Sequence, residues 1–293
     1  MGFRFQVTGC RFEAVLREGA RQLEAAGVER ARREAEWLLG ELVGLRPLEA
    51  YLEERDVPGA TVEQFFSRIE ARASGTPLQY LLGEAEFFGA RFAVAPGVFI
   101  PRPETEAVVE ETLRVLRARE AALGRPLCLL DLGTGSGCIA ITLARELPTC
   151  VVVGVELSWE ALGLARRNIL RHGLAHRVRL VEGDWLQPIG GVFDGVVSNP
   201  PYIPSAEVDR LPLDVRQEPR LSLDGGAQGV RDLLHLIAEA PRILRGGGAL
   251  SLECGEEQVG TLARAAASRA WIESVQPLHD LGGSPRGILI TKR

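Results

Sequence analysis

The chain predicts a doubly wound α/β domain, its sheet mostly parallel with an antiparallel C-terminal hairpin, preceded by a small N-terminal helical bundle. Three observations lead there. Beyond Leu127, short apolar runs rich in valine alternate with helical stretches, the signature of strand-helix-strand units. A glycine-rich turn, Asp131-Leu-Gly-Thr-Gly-Ser-Gly137, joins the first of those runs to the helix after it. From Cys10 to about Ala73, by contrast, apolar residues recur at three- and four-residue steps.

Taken in order, Phe12, Val15, Leu16 and Leu23, then Ala35, Leu38, Leu39 and Leu42, then Leu52, and finally Val62, Phe65, Phe66 and Ile69 mark short helices, punctuated by Pro47, Pro58 and Gly59. The alternating aromatics of Phe87-Phe88-Gly89-Ala90-Arg91-Phe92 read as a β-hairpin. Pro101-Arg-Pro-Glu-Thr-Glu106 opens a helix, with Pro103 in its first turn and Glu104 and Glu106 at the positive end of its dipole. Strands then follow at 127–132, 151–156, 178–182, 192–198 and 249–253, separated by helices at 138–146, 159–170 and 233–244, with a further helix at 259–267. The last two runs, 272–277 and 287–291, are joined too tightly for a parallel crossover and are expected to pair antiparallel. The expected division is a helical domain over 1–84, a hairpin connector over 85–100 and the α/β domain over 101–293.

Composition narrows the function classes. The 293 residues have room for a large and a small domain, and 46 % hydrophobic content supplies a core. A net charge of −5 gives no global electrostatic case for a nucleic-acid partner. The five cysteines lack C-x-x-C spacing, so neither a disulfide framework nor a metal site is expected. No apolar stretch reaches membrane length, and the expected location is the cytoplasm.

Two motifs carry chemistry. Gly133, Gly135 and Gly137 let the backbone turn tightly and approach a ligand where a Cβ would collide, with Thr134 and Ser136 between them. Glu156, ending the second strand, is placed to accept ribose hydroxyls. At this point a nicotinamide dinucleotide and S-adenosylmethionine both fit, since Gly135-Ser-Gly137-Cys-Ile-Ala140 also matches the loose dinucleotide fingerprint. Asp131, directly before the glycines, tilts the reading toward S-adenosylmethionine, because a carboxylate suits a cationic amino-acid tail better than a pyrophosphate. Asp184-Trp185 follows the third strand, where a ring can cover adenine and a polar neighbour can read its edge. The second motif, Asn199-Pro200-Pro201-Tyr202, follows the fourth strand. Its prolines lack N–H groups and hold φ near about −65°, while Pro200 keeps Asn199 out of the helical region. The Asn199 Oδ1 and the Pro200 carbonyl are thus rigid acceptors for the N–H groups of an amide or aromatic amine, a poor nucleophile that needs such acceptors as positive charge builds on it. Tyr202 adds a flat face for a planar target.

With these motifs in view, the chain resembles the release-factor glutamine methyltransferases, called PrmC or HemK, within the class I S-adenosylmethionine-dependent enzymes. The likeness spans Gly75-Thr-Pro-Leu-Gln-Tyr80, Phe99-Ile-Pro-Arg-Pro-Glu-Thr-Glu106, Asp131 to Ala140, Gly183-Asp-Trp185, Ser198-Asn-Pro-Pro-Tyr-Ile203 and Glu218-Pro-Arg-Leu-Ser-Leu-Asp-Gly-Gly226. The resemblance implies that Gly133 to Gly137 and Glu156 hold the cofactor, with Asp131, Asp184 and Asn199 beside it, and that Trp185 covers the adenine. It implies that Asn199 to Tyr202, with Phe99, receive the glutamine of the Gly-Gly-Gln loop of a class I peptide chain release factor, leaving S-adenosylhomocysteine as product. The N-terminal helices are then a protein-docking module. Two departures stand out: Glu156 occupies a position where many relatives carry Asp, and the Gly283-Ser-Pro-Arg286 loop is less typical.

The rivals are an adenine-N6 nucleic-acid methyltransferase, a glutamine methyltransferase acting on a ribosomal protein, and, in another class, an NAD-dependent oxidoreductase using Gly135 to Ala140. The first lacks a target-recognition domain and a basic run here, and base flipping and phosphate binding call for both. None of His172, His176, His235 and His279 lies in a motif that demands a general base, so all four are expected to be structural or solvent-facing.

Overall fold

A computed structural model describes residues 10–45, 49, 56–280 and 282–293. The chain divides into two compact units, one made of the described residues up to Gly83 together with Leu213–Gln217, the other of Glu84–Pro212 and Glu218–Arg293.

In the first unit, helices α1 (Phe12–Ala25), α2 (Ala31–Val43), α3 (Gly59–Ala73) and the short α4 (Leu78–Leu82) enclose the buried side chains of Leu16, Leu23, Leu38, Leu39, Phe65 and Ile69. Helices α1 and α3 pack closely because Gly19 has no side chain; a Cβ there would run into the Phe65 ring. Cys10–Arg11 (β1) is not the start of a helix: it pairs antiparallel with Asp56–Val57 (β2), a long-range contact that local periodicity does not report. Leu52 and Pro47 lie outside the described residues. Arg72 of α3 donates to Glu34 of α2 at 2.6 Å and to Asp214 at 3.3 Å, so the Leu213–Gln217 segment is tied into this unit through a guanidinium whose side chain is only 12 % exposed. A contiguous division at residue 84 does not contain that segment.

The second unit opens with the hairpin β3 (Glu84–Phe87) and β4 (Ala90–Ala93), whose two turn residues, Phe88 and Gly89, both have positive φ, the geometry that matches strand twist. Phe87 and Phe92 are fully buried with Leu113, Leu127 and Ile141, so the 85–100 stretch, expected as a connector, has its packing inside this unit. Pro103 begins helix α5 (Pro103–Leu123). Strands β5 (Cys128–Leu132), β6 (Val151–Glu156), β7 (Val178–Glu182), β8 (Phe193–Ser198), β9 (Leu244–Glu253), β10 (Ile272–His279) and β11 (Pro285–Lys292) form one sheet in the order β10-β11-β9-β8-β5-β6-β7. Strands β5 to β9 are parallel, and β10 and β11 run antiparallel, as the alternation and the tight final connection predict. Helices α6 (Cys138–Glu146), α7 (Trp159–Arg171), α8 (Ser205–Val208), α9 (Arg231–Glu239) and α10 (Val259–Ala267) supply the crossovers and cover the faces. The helix expected to run to Leu244 stops at Glu239. Pro241, which cannot continue a hydrogen-bonded turn, sits in the 3₁₀ turn Ala240–Arg242, and the strand starts at Leu244 rather than Ala249.

Register sets the position of everything that follows. Leu132 of β5 lies opposite both Val155 of β6 and Ser198 of β8, and Ser198 opposite Leu252 of β9. The carboxyl ends of four strands are therefore level, and the chain reverses direction across the sheet between β5 and β8, the crevice where doubly wound sheets bind ligands. Cys138, Cys150 and Cys254 are buried free thiols, Cys128 is half-buried, and among the described residues no helix is long and apolar enough to cross a membrane.

At the other end of β8, Asp194 is fully buried. Burial alone would raise its pKa, but two bonds from Arg125 (2.7 and 2.9 Å), the Cys128 N–H (3.0 Å) and Arg119 hold it below the ordinary carboxylate range. It fastens β8 to the start of β5 and to the end of α5. Replacing it (Asp194→Ala) leaves the guanidinium of Arg119, which is 13 % exposed, without its carboxylate. The expected loss is about 3 kcal/mol in urea denaturation, the low end for a broken buried pair because Arg125 keeps access to water.

Candidate active site

The glycine loop follows β5. Gly133, Gly135 and Gly137 all have positive φ (68°, 55° and 82°), so the backbone adopts a path that side chains would strain, and Gly137 caps α6. The loop is tied to β6 by Gly133 N–H and Thr134 N–H, both donating to the Val155 carbonyl, and to α7 by Asn168 Nδ2, which donates to the Ser136 carbonyl at 2.8 Å. Thr134 and Ser136 are buried. The Asp131 carboxylate beneath them is fully buried; its Oδ2 accepts from Thr134 Oγ1 (2.5 Å) and the Ala140 N–H (3.0 Å), while Oδ1 has no partner. A buried acceptor without a donor is costly, which marks Oδ1 as the place for a ligand's N–H.

Glu156 ends β6, half-buried. Its Oε2 accepts from the Gly135 N–H (2.8 Å) and its Oε1 from the N–H groups of Leu157 and Ser158 (2.9 Å each). The longer side chain thus gathers the glycine loop and the start of α7 around one carboxylate, whose remaining lone pairs are free to accept from hydroxyls. Trp185 is one of two non-glycine residues with positive φ among the described residues (48°), a strained conformation of the kind that gathers at functional sites. Its ring lies against Gly133, 3.4 Å from where a Cβ would stand. Asp184 beside it is exposed, and its Oδ2 accepts from Gln187 Nε2. Asp131, Gly133 to Gly137, Glu156 and Trp185 are brought together at one end of the sheet. Their donor set, carboxylates with spare acceptor capacity beside a bare backbone, fits a hydroxylated, cationic group and would repel a phosphate.

One strand over, Asn199 follows β8. Its Nδ2 donates to Thr105 Oγ1 at 3.0 Å, which leaves Oδ1 unused by the protein among the described residues. Pro200 and Pro201 are buried. Tyr202 is half-buried; its Oη donates to Glu253 Oε1 (3.3 Å), its carbonyl accepts from Gln258 Nε2 (2.7 Å), and burial with the adjacent Glu253 charge pushes its phenol well above the ordinary range. The turn rests on glycines. A Cβ on Gly225 would stand 2.6 Å from the Pro201 carbonyl oxygen, and one on Gly229, whose φ is 68°, would collide with the Tyr202 carbonyl. Phe99 stands beside the Arg102 guanidinium, whose carbon lies 4.9 Å from its ring centre. Glu218, nearly fully buried, pairs with Arg102 and accepts from the Ile100 N–H at 2.9 Å, so one carboxylate holds both ends of the Phe99 segment.

Thr105, Arg102, Glu218 and Glu253 were not among the candidate site residues. Three of them lie in the conspicuous Phe99–Glu106 and Glu218–Gly226 motifs. Glu253 has no local signal beyond its place at the carboxyl end of a strand. Among the histidines, His172 is structural: Nε2 meets the Arg91 carbonyl at 3.1 Å, its ring packs on Phe92, and burial lowers its pKa. His176, His235 and His279 are exposed.

Comparison with known proteins follows this geometry. A family profile described as "PrmC N-terminal domain" matches residues 14–83, and one described as "Methyltransferase small domain" matches residues 111–211. The chain is 45 % identical over 284 residues to a "Release factor glutamine methyltransferase" of Moorella thermoacetica, covering 95 % of this chain and 97 % of that one. It is 46 % identical over 244 residues to the protein of that name from Geobacter sulfurreducens, covering 82 % of each. Among solved structures, a methyltransferase from Pyrococcus furiosus superposes with a TM-score of 0.53 at 23 % identity, covering 70 % of this chain and 90 % of that one, a likeness of fold.

Two outcomes test the site's construction. Gly229→Ala is expected to cost about 3 kcal/mol, from strain at positive φ and overpacking, read as a fall in Tm of about 6–12 °C. For Asp131, burial pushes the carboxyl up from 3.8 to about 7, the Thr134 and Ala140 bonds offsetting this only in part. Between those values the folded protein keeps a proton that the unfolded chain has released, so this group's contribution to stability falls as pH rises. The Tm advantage of the wild type over Asp131→Asn should narrow from about pH 4 to about pH 7; a gap that widens contradicts the assignment.

Proposed function

The chain belongs to the release factor glutamine methyltransferase family, and from that premise we propose that it methylates the side-chain amide nitrogen (N5) of the glutamine in the Gly-Gly-Gln loop of class I peptide chain release factors. S-adenosylmethionine is the methyl donor and S-adenosylhomocysteine the product. The observation that carries this reading is the hydrogen bond from Asn199 Nδ2 to Thr105 Oγ1, which turns Asn199 Oδ1 away from the protein and toward a donor still to come.

S-adenosylmethionine, when bound, supplies an electrophilic sulfonium methyl group. For holding it, the unpartnered Asp131 Oδ1 suits the ammonium of the amino-acid tail, Glu156 suits the ribose hydroxyls, and Trp185 beside Gly133 suits the adenine face. Asn199 Oδ1 and the Pro200 carbonyl accept the two N–H groups of the glutamine amide, and Tyr202 and Phe99 flank its plane. As the nitrogen forms its bond to carbon it becomes cationic, so both acceptor bonds strengthen between ground state and transition state, the condition for raising the rate. The methylated nitrogen is then strongly acidic and releases its proton to water without a dedicated base. The first unit serves as the module that docks the release factor, and the cytoplasm, where translation termination takes place, is the compartment this reading implies.

The test is mass spectrometry of a purified class I release factor after incubation with the protein and S-adenosylmethionine. One added methyl on the Gly-Gly-Gln glutamine is expected. The Asn199→Ala variant should be slower by about 10²- to 10³-fold, the scale for loss of one preorganised partner of the transition state. Methylation absent from the release factor but present on adenine in DNA or RNA overturns the reading.

A further inference from the structure

Resting on that reading of Pro200 as an acceptor, we propose that Gln258 is a positioning residue: by clamping the Tyr202 carbonyl it aims the Pro200 carbonyl at the substrate amide. The two prolines create the need for such a clamp. Neither has an N–H with which to bind a neighbour, and the Pro200 carbonyl has to stay open for the substrate. The segment is fastened at its ends instead. Before the prolines, the Ser198 hydroxyl donates to the Leu132 carbonyl at 2.7 Å and Asn199 Nδ2 to Thr105 Oγ1 at 3.0 Å. After them, the Ile203 N–H donates to the Leu223 carbonyl and the Gly225 N–H to the Ile203 carbonyl, both at 2.9 Å. The Tyr202 carbonyl is held by a side chain, accepting from Gln258 Nε2 at 2.7 Å.

That bond controls more than its own carbonyl. Peptide groups are planar and the proline rings fix φ. Between the Pro200 carbonyl and the Tyr202 carbonyl, only ψ of Pro201 and φ and ψ of Tyr202 are left to turn. Fixing the direction of the second carbonyl therefore narrows the directions open to the first, and it holds the Cα that carries the Tyr202 ring. The glycine floor cannot do this alone. A Cβ on Gly225 would stand 2.6 Å from the Pro201 carbonyl oxygen, so the floor is in contact, but contact resists approach and not retreat. The hydrogen bond resists retreat.

Gln258 is itself held in one polarity. It closes the turn Glu256–Gln258 between β9 and α10, half-buried. Its backbone N–H donates to the Gly255 carbonyl at 2.9 Å, and its Oε1 accepts from the Gly255 N–H at 2.9 Å. A backbone N–H can only donate, so Oε1 belongs there and Nε2, with its two protons, is turned to carbonyls. Those are Tyr202 and, at 3.1 Å, Gly229, with the Gln228 carbonyl further off at 3.4 Å. One amide thus ties the end of β9, the stretch before α9 and the substrate-binding segment together.

The experiment compares wild type with Gln258→Met, which keeps the length of the side chain and removes its donors, and with Gln258→Glu, which keeps an acceptor for Gly255 and sets a carboxylate oxygen against the Tyr202 carbonyl. kcat and KM are measured on a purified class I release factor with S-adenosylmethionine. Gln258→Met is expected to lose about 10- to 100-fold in kcat, less than deletion of an acceptor, because the Pro200 carbonyl is misaimed and not removed. KM for S-adenosylmethionine should stay within about 2-fold of wild type, since the glycine loop is untouched. Gln258→Glu should lose more. A Gln258 that served stability alone would lower Tm and leave kcat per folded molecule unchanged; that result, or a KM for S-adenosylmethionine that rises as kcat falls, overturns the proposal. Amide hydrogen exchange followed by NMR on the free protein gives a readout without substrate. The Ile203 and Gly225 N–H groups should exchange at least about 10-fold faster in Gln258→Met, while those of Gly133 and Thr134 keep the wild-type rate. Unchanged exchange at Ile203 and Gly225 overturns the clamp whatever the substrate. A wild type that leaves release factors unmethylated refutes the proposed function, and exchange then decides the clamp. If Gln258→Met does not fold, Gln258→Asn, whose amide is withdrawn by a methylene, takes its place in both measurements.

Discussion

The site depends on one amide being kept in one orientation. Asn199 follows the strand that lies between β5 and β9, and its Nδ2 bond to Thr105 joins residues 94 positions apart. That bond requires α5 to begin where it does. Pro103 opens the helix at a position that needs no backbone donor, and the Thr105 N–H returns to the Arg102 carbonyl to close the first turn. Arg102 in turn is held by Glu218. Helix start, strand end and the glycine-floored turn after β8 therefore converge on a single polar contact, and shifting any of them changes what Asn199 presents.

Charge is distributed unevenly along the central strands, and the unevenness separates scaffold from site. At the far end of β8, buried Asp194 has arginines and a backbone N–H, and its charge is stabilised. At the ligand end, the two strands flanking β8 each carry a buried acid, Asp131 on β5 and Glu253 at the end of β9, and burial pushes both up to about 7. Each also has an oxygen, Oδ1 and Oε2, without a partner. Such groups are tolerated where something else makes use of them. Asp131 lies beneath the glycine loop and suits a cationic ligand, while Glu253 accepts from Tyr202 Oη.

Much of this was legible in the sequence because the informative motifs occupy strand ends. The glycine loop, Glu156 and the Asn199–Tyr202 turn each follow an apolar run, and parallel register then makes them neighbours. What escaped was long-range. Glu253 closes an ordinary apolar strand, and only pairing of β9 with β8 brings it near Tyr202. Leu213–Gln217 lies deep in the sequence of the second unit yet is tied to the first through Arg72, a contact with no periodicity to announce it. The β1–β2 pair and the break at Pro241 were misjudged for a related reason: apolar spacing reports which face is buried, not where a two-residue strand forms or where a turn tightens.

Four of the groups gathered here share one property, in that the atoms they leave open accept hydrogen bonds. Asn199 presents Oδ1, Pro200 can only present a carbonyl, Asp131 keeps a bare Oδ1, and Glu156 turns one oxygen to the glycine loop and the other to the start of α7. Such acceptors discriminate by charge and by proton count. In the proposed reaction a glutamine amide brings two N–H donors and becomes more positive as it reacts, so it gains from Asn199 Oδ1 and the Pro200 carbonyl. A glutamate in its place brings no donor and a negative charge, and it would leave the acceptors unpaired while being repelled by them. On the proposed reading, specificity against the acid is built from the same bonds that stabilise the reacting amide, with no separate element needed to exclude it.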